Sequence, residues 1–337
     1  MTALIIKPLG IMRLGVTPIY GSSFLGMVQT FGIPLPSTIL GMLGNLLGIR
    51  LDKEQAQEDP LLGIGVLVKK LRDDSKVSII SGPIVRVNKT HYAIPLYSKE
   101  GVFLVNMEAI MKVDPEKPQI KKDEILANIK VDFQPGIALR DTINGIPFDK
   151  SAKKGYMYRR GFVRYISSTG KGVKVEFLYK IWRFLNLGTE NIIKFGGEGR
   201  LAVISETKTE PEELKHVTSL LNAKPGYYIT LSPYPLVPKN EKALYLDKNS
   251  YVGLETIDSL ADIIGIPSIG DEIKRAPKIR IIRLGLGFSE VLCRRRPQIL
   301  ALPPGTIIHI KRELTVKEDL YINLLKAGYA SLLKIKR

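Results

Sequence analysis

The sequence is poor in the residues that build disulfide frameworks and metal centres. Its 337 residues hold one cysteine, Cys293, and three histidines, His91, His216 and His309, which are far apart. A single cysteine excludes an internal disulfide framework and a cysteine-based zinc or iron–sulfur site. No HExxH, CxxC or GxxxxGK[ST] motif occurs, and Gly285-Leu286-Gly287 lacks the remainder of GxGxxG. The sequence therefore predicts no catalytic residues, no metal and no cofactor.

The chain also lacks a long hydrophobic run. Residues 14–49 carry no charge, but prolines and glycines interrupt them. No run reaches the roughly 18–20 apolar residues that a membrane-spanning helix needs. The first residues have neither a basic region nor a small-residue cleavage site. We therefore expect no membrane partner and no signal peptide, and the single cysteine suits a cytoplasmic location. The uncharged segment 14–49 is expected to be buried against protein.

Acidic residues are few relative to basic ones. The chain has 33 Asp and Glu against 50 Lys and Arg, a net charge of +17. Two windows, 150–184 and 273–312, each hold ten basic residues and one acid, so the remainder of the chain sums to −1. A thermophile surface would enrich Glu together with Lys. Positive charge concentrated in blocks is typical of proteins that bind nucleic acid.

The first basic window also contains aromatic residues, which favours RNA as the polyanion. Basic side chains contact phosphates, and rings on a sheet stack unpaired bases. The alternation from Gly161 to Ser167 predicts a strand with one face in the core, so about half of the rings are expected to pack inside. The predicted RNA contacts in this window are Arg159, Arg160 and Arg164.

Two further segments are predicted to hold phosphates. In Gly196-Gly197-Glu198-Gly199-Arg200, successive backbone N–H groups could form an anion-binding nest, with Arg200 adding a bidentate contact. The alternative is a tight turn between strands. Arg294, Arg295 and Arg296 cannot all face a core, so at least two are expected to be exposed.

The order of predicted elements indicates an α+β fold. In the first part, a strand over Leu4–Leu14 precedes a helix from Pro36 with Ser37 or Thr38 as N-cap. A hairpin joins strands 161–167 and 173–179, and a short helix precedes a strand over 201–205. In the second part we predict strands over 227–231, 280–284 and 306–313 and helices over 257–264 and 316–325. The pattern predicts two tandem ferredoxin-like (RRM-like) domains, residues 1–207 with an insertion at about 51–149, and residues 208–337.

Four short motifs occur in an order that resembles a known family. They are Lys7-Pro8-Leu9 with Arg13, Ile33-Pro34-Leu35-Pro36-Ser37-Thr38-Ile39-Leu40-Gly41, Phe195-Gly196-Gly197-Glu198-Gly199-Arg200, and Pro303-Pro304-Gly305-Thr306. Their order resembles the RAMP proteins of CRISPR systems, specifically the third Cmr subunit of type III-B effector complexes. The Gly-Gly-Glu loop is the most specific of these motifs.

The resemblance implies a non-catalytic subunit that holds the 5′ handle of the crRNA. Its implied partners are the large polymerase-cyclase-like Cmr subunit and the Cmr backbone RAMP subunit. It also implies that Ser37, Thr38, Gly196 and Gly197 contact the handle. Two alternatives stay open: a repeat-RNA processing endonuclease, for which His91 is the only early histidine, and an RNA-binding scaffold unconnected with CRISPR.

Overall fold

The protein is mixed α/β, with many strands and few helices. The computed structural model describes residues 2–18, 26–98, 100–139, 142–143, 146–147, 152–183, 185–187, 190–197, 199–238, 261–270, 278–315 and 319–335. The α-helices in these ranges are α1 (Pro36–Leu46), α2 (Lys53–Glu58), α3 (Ile64–Ser75), α4 (Met107–Met111) and α5 (Asp319–Lys326). Short 3-10 helices lie at Lys122–Glu124, Glu212–His216 and Leu220–Asn222.

The described strands divide between the two parts of the chain. The first part holds β1 (Thr2–Pro8), β2 (Gly15–Pro18), β3 (Gly26–Thr30), β4 (Ile80–Val87), β5 (His91–Tyr97), β6 (Val102–Asn106), β7 (Gln119–Ile120), β8 (Ile125–Leu139), β9 (Thr142–Ile143), β10 (Ile146–Pro147), β11 (Ala152–Ile166), β12 (Val175–Ile181), β13 (Asn191–Lys194) and β14 (Leu201–Thr207). The second part holds β15 (Val217–Ser219), β16 (Gly226–Thr230), β17 (Tyr234–Leu236), β18 (Ala261–Gly265), β19 (Ser268–Ile269), β20 (Ile282–Gly285), β21 (Phe288–Ser289), β22 (Arg294–Arg295), β23 (Gln298–Leu302), β24 (Ile307–Ile310) and β25 (Ser331–Lys334).

A large sheet is built from strands of the first part alone. Its order is β13-β14-β1-β12-β4-β5-β6-β8-β11-β3-β2, and only the β11–β3 pair is parallel. β1 lies inside the sheet, with Leu4 and Ile6 in the core on one face and Ala3 in the core on the other. Because both faces are covered, β1 reads as an almost continuous apolar run.

A five-stranded antiparallel sheet of the second part covers one face of the large sheet. Its order is β15-β25-β16-β24-β18. Ile84, Ile94 and Leu178 of the large sheet share a buried cluster with Ile229 and Leu333 of the smaller one. Helices α1, α3 and α5 pack on the opposite face of the large sheet. The two parts of the chain are therefore joined through their sheets.

In the uncharged segment 14–49, most residues from 31 to 44 are buried, whereas Gly41, Asn45 and Gly48 are exposed. Phe31, Ile33, Ile39 and Leu43 are at most 4% exposed. Their burial is within the chain itself, against α3 and the large sheet. The predicted N-cap is wrong: Leu35 caps α1 without a side-chain hydrogen bond, because Pro36 already occupies the first helical turn.

Several other predictions of local structure are wrong. Strands β11 and β12 do not form a hairpin along their length, since β11 pairs with β8 and β12 pairs with β1 and β4. The short helix predicted before β14 is the edge strand β13. Residues 261–264 of the predicted helix 257–264 form strand β18, and residues 251–260 lie outside the described residues. Short apolar runs do not distinguish helix from strand, and here long-range pairing decides.

The predicted insertion at about 51–149 is not set apart from the core. Strand β4 lies between β12 and β5 in the middle of the large sheet. Helix α3 packs against α1 and α5. The charged residues of α3 lie mostly on its exposed side, whereas its buried face joins the core, which is why composition alone suggested a separate unit.

Candidate nucleic-acid interface

The segment that follows β1 connects two distant strands of the large sheet. The Leu9 N–H donates to the carbonyl of Leu201 at the start of β14, at 3.0 Å. The Val163 N–H of β11 donates to the carbonyl of Met12, at 2.8 Å. Arg13 follows directly. The opening motif therefore lies between β14 and β11, two elements that carry predicted RNA contacts.

The Gly-Gly-Glu loop packs against the backbone of Arg13. Gly196 has a φ of +78°, and a Cβ there would lie 2.7 Å from the Arg13 carbonyl oxygen. The Gly197 N–H donates to that same oxygen at 2.9 Å. The Phe195 N–H donates to the backbone carbonyl of Arg200 at 2.7 Å. The predicted nest is therefore wrong for Gly197, because its N–H is already paired within the chain. Glu198 lies outside the described residues.

Arg200 stands beside this loop with part of its side chain unsatisfied. Its guanidinium carbon lies 4.9 Å from the centroid of the buried Phe162 ring. Its Nε is buried and has no hydrogen-bond partner among the described residues. A guanidinium donor that is buried without an acceptor is costly in a protein. An anionic ligand would supply the acceptor.

The other predicted arginines of the first window lie on β11. Arg164 is exposed and forms an ion pair with Asp132 on the neighbouring strand β8. Arg159 is opposite Pro135 of β8 and also opposite Met27 of β3, and Arg160 is opposite Gln134. The strand therefore places Arg164 near the Arg13–Arg200 region, with Arg159 and Arg160 farther along the same strand.

The three consecutive arginines divide between surface and interior. Arg294 and Arg295 form β22 and are exposed, and Arg295 pairs with Phe288, a ring that is 52% exposed. Arg296 instead donates from Nη1 to the Phe288 carbonyl at 2.6 Å and from Nε to the Leu62 carbonyl at 3.2 Å. Burial lowers the pKa of Arg296. Two exposed arginines were expected, and the structure identifies which two.

Ser37 and Thr38 lie at the start of α1, at the junction of the two parts of the chain. Ser37 is 8% exposed and faces the hydroxyl of Tyr329, in the turn after α5. Burial raises the pKa of Tyr329 to about 12, and Ser37 opposes that rise. Thr38 is half-buried. The Ser37 hydroxyl thus has a neighbour within the protein, and its contact with RNA stays a prediction.

The aromatic residues of the first window are mostly core. Phe162, Tyr165, Phe177 and Tyr179 are at most 7% exposed, on both faces of the sheet. Trp182 is 42% exposed. These four are half of the eight aromatic residues in the window, which agrees with the expectation that about half of the rings pack inside. These four rings are therefore not available to stack on bases.

Sequence reasoning missed residues that the fold adds to this region. Lys7, Lys89 and Lys174 lie around the end of β1 and the start of β12, close to Arg164. Lys7 belongs to the opening motif, and Lys174 lies in the first basic window, so both carried a signal. No sequence pattern pointed to Lys89 as an RNA contact, since the net charge of the surrounding sequence is close to zero.

Among the described residues, the histidines and acidic groups show no arrangement for catalysis. His91 is exposed at the first position of β5, and His309 stacks on Tyr227 with centroids 4.3 Å apart. In the part of the chain that the structure describes, no three His, Cys, Asp or Glu side chains come together as a metal site. No helix of that part is long and apolar enough to span a membrane.

Comparison with known proteins gives one curated relative and several similar structures. The chain is 26% identical over 329 residues to a protein of Saccharolobus solfataricus described as the CRISPR system CMR subunit Cmr3, covering 91% of this chain and 87% of that protein. It resembles a chain in a structure of the type III-B Cmr-beta complex bound to cognate target RNA, with a TM-score of 0.63, 20% identity and coverage of 99% and 96%. A second structure, with cognate target RNA and AMPPnP, gives a TM-score of 0.61 at 20% identity, with coverage of 99% of each chain. No family model matches the sequence.

These comparisons show which proteins the chain resembles. In sequence it is similar to the Cmr subunit Cmr3 of a CRISPR system. In fold it is similar to chains of type III-B Cmr complexes.

Proposed function

We propose that this chain is a non-catalytic RNA-binding subunit of a type III-B Cmr effector complex in antiviral defence. In this role it holds the 5′ handle of the crRNA and bridges the large polymerase-cyclase-like subunit to the backbone RAMP subunit. The curated relative is named as a Cmr subunit, and the similar chains come from complexes that contain RNA. Those descriptions belong to the relatives and support the proposal for this chain.

The observation that carries the proposal is the surroundings of Arg200. Its buried Nε has no acceptor among the described residues, and the Gly196–Gly197 turn next to it packs on the backbone of Arg13. A phosphate oxygen is the acceptor that suits a guanidinium best, because the two can form charge-assisted hydrogen bonds. The loop then has a positioning role, in which its glycines permit close packing and Arg200 contacts the RNA.

Strand order supports the predicted domain arrangement. In the large sheet, β14-β1-β12-β4 form an antiparallel run in which α1 and α3 connect β1 to β4. In the smaller sheet, β25-β16-β24-β18 repeat that order, with α5 connecting β24 to β25. We infer two tandem ferredoxin-like units over 1–207 and 208–337, the first extended by the strands from β5 to β11.

The proposal is tested by measuring which RNA the chain retains. RNA recovered with the complex from its native host should consist of crRNAs with a common 5′ sequence. In vitro, Arg200→Ala should weaken binding of handle-containing RNA more than binding of an unrelated strand of equal length. Arg50→Ala, which removes an exposed arginine on the helical side, is the matched control and should leave both affinities unchanged. Equal weakening of both RNAs by Arg200→Ala would contradict specific handle recognition.

A further inference from the structure

A cleft opens where β11 and β12 separate. The two strands are joined at their ends, with the Ser167 N–H donating to Lys171 at 2.8 Å and the Val173 N–H donating to Tyr165 at 3.0 Å. Beyond this point β12 turns toward β1 and β4, and β11 turns toward β8. The separation leaves a cavity of about 460 Å³, which lies within the usual range for small-ligand sites.

The floor of this cleft is apolar. It is formed by the end of β1 and the two diverging strands, through Pro8, Leu9, Ile11, Val163, Val173 and Val175. Leu9 is 51% exposed, although it sits at the centre of this lining. An apolar surface of this kind, open to solvent and bordered by charge, is typical of a ligand site.

The rim of the cleft is positively charged. Lys7, Lys89 and Lys174 surround it, together with Arg164. The acidic residue in the lining, Glu176, forms an ion pair with Arg86, with 2.6 Å between Nε of Arg86 and Oε2 of Glu176. Arg164 forms an ion pair with Asp132. No described carboxylate lies within ion-pair distance of the three lysines. The three lysines are therefore not ion-paired with a described carboxylate, although Glu176 lines the cleft and Glu190 lines an adjoining pocket beside Lys7 and Lys89.

The turn that presents Lys89 has an unusual backbone for a lysine. Asn88 and Lys89 have φ values of +50° and +65° in the tight turn between β4 and β5. Glycine is the preferred residue at the second of these positions, because a side chain is strained there. Asn88 also binds the segment of Lys174, donating its N–H to the Lys174 carbonyl at 2.8 Å and accepting the Lys174 N–H at 3.1 Å. The strained turn fixes two of the lysines at the same side of the cleft.

We propose that this cleft binds one nucleotide of a single RNA strand, with its phosphate on Lys7, Lys89 and Lys174. The sugar and base then contact the apolar floor, since bases stack or pack on such surfaces without requiring a particular sequence. This assignment rests on the proposed RNA-binding function. It adds a defined nucleotide site on the cleft beside Arg164, separate from the acceptor site at Arg200.

The first experiment measures how the affinity for single-stranded RNA depends on salt. Lys89→Gly fits the turn and removes one cation, and Lys174→Gln removes a second without touching the Asn88 backbone contacts. The measured quantity is the slope of the logarithm of the binding constant against the logarithm of the salt concentration. Together the two substitutions should reduce the magnitude of this slope by about 1.4, since each phosphate contact on a single strand contributes about 0.7. The control, Lys53→Gln with Lys112→Gln, removes two exposed lysines elsewhere and should leave the slope unchanged. An equal slope for cleft and control variants would overturn the proposal.

The second experiment separates a nucleotide within a strand from a free nucleoside monophosphate, which shares its chemistry. AMP is titrated into the wild-type chain and into the Lys89→Gly, Lys174→Gln variant by calorimetry. The proposal expects RNA binding that depends on the cleft lysines and no more than weak AMP binding. Tight AMP binding that the variant loses would assign the cleft to a free nucleotide and overturn the RNA assignment. If the wild-type chain bound no RNA, the proposed function would be wrong. If it bound RNA and the Lys89→Gly, Lys174→Gln variant bound RNA equally well, only the proposed nucleotide site would be wrong.

Discussion

Arg294, Arg295 and Arg296 are adjacent in sequence, but the backbone turns them toward different surroundings. The first two lie on the exposed strand β22, whereas Arg296 donates to the carbonyls of Leu62 and Phe288. Arg296 thereby fastens β21 and β22 to the segment before α3. A residue in such a position stabilises the fold, whereas its neighbours Arg294 and Arg295 are exposed.

We expect substitution of Arg296 to affect stability, and substitution of Arg294 and Arg295 to affect RNA binding. Arg296→Ala should lower the free energy of unfolding by about 2 kcal/mol, because it removes two charged hydrogen bonds, a partly buried one to the Leu62 carbonyl and an exposed one to the Phe288 carbonyl. Arg294→Ala with Arg295→Ala should change stability by less than about 0.5 kcal/mol but reduce the salt slope of RNA binding by up to about 1.4. Urea unfolding and RNA titrations at several salt concentrations measure these effects. A salt slope unchanged by the double variant would show that β22 does not contact RNA.

At the scale of an element, the Gly-Gly-Glu loop shows that backbone conformation and close packing can require the glycines of a sequence motif. Gly196 and Gly199 both have positive φ, +78° and +64°. A Cβ at Gly196 would meet the Arg13 carbonyl oxygen at 2.7 Å, whereas a Cβ at Gly199 would meet nothing within 4 Å. The two positions thus share backbone strain and differ in steric room.

This difference predicts unequal effects of two alanine substitutions. Gly199→Ala should cost about 1 kcal/mol, the usual penalty for a left-handed residue. Gly196→Ala should cost at least about twice as much, because the new methyl group also displaces the Arg13 segment. Thermal or urea unfolding of the two variants checks the prediction. Equal destabilisation would mean that the loop does not pack on Arg13 in solution.

The split between β11 and β12 shows the limit of sequence reasoning for whole elements. The periodicity of residues 161–167 and 173–179 correctly predicts two strands joined by a short turn. It does not reveal their partners, which are β8 for one strand and β1 with β4 for the other. Partner choice depends on contacts between residues far apart in sequence, and the cleft proposed as a nucleotide site arises from that choice.

At the scale of the whole molecule, buried tyrosines lie in the large sheet, in strand β17 of the second part and in the turn after α5. Burial raises the pKa values of Tyr97, Tyr165, Tyr179, Tyr234 and Tyr329 above the ordinary value of about 10. Tyr97 and Tyr165 also enclose Gly32, since the Gly32 N–H donates to Tyr97 and the Tyr165 hydroxyl donates to the Gly32 carbonyl. Ionisation of these phenols is favoured in the unfolded chain.

Stability should therefore be lost at alkaline pH. The raised pKa values mean that the stabilisation is complete below pH 10 and declines above it, by about 1.4 kcal/mol per pH unit for each such tyrosine. For Tyr329 the decline should end near pH 12. Phenolate absorbance and far-UV circular dichroism, followed from pH 9 to 12, should show these tyrosines ionising together with unfolding. Ionisation of all tyrosines before any loss of structure would contradict their burial.

We also predict that the purified chain does not cleave RNA. Neither the sequence nor the described residues provide an acid–base pair suited to catalysis, and His91 is an exposed residue at a strand end. Incubation with repeat RNA, with and without divalent metal, should leave the RNA intact. Cleavage that disappears in His91→Ala would instead support the endonuclease alternative.

The sequence by itself determined where the excess positive charge lies, the lack of a cysteine-based metal site, and the mixture of helices and strands, because composition and local periodicity express these directly. Only the tertiary structure decided which charges face solvent. Lys180, in the first basic window, is buried and paired with Glu210 at 2.7 Å, whereas Lys89, outside both windows, borders the cleft. The reason is physical: exposure and neighbours follow from pairing between distant strands and from the packing of one sheet on another, and no local pattern records either.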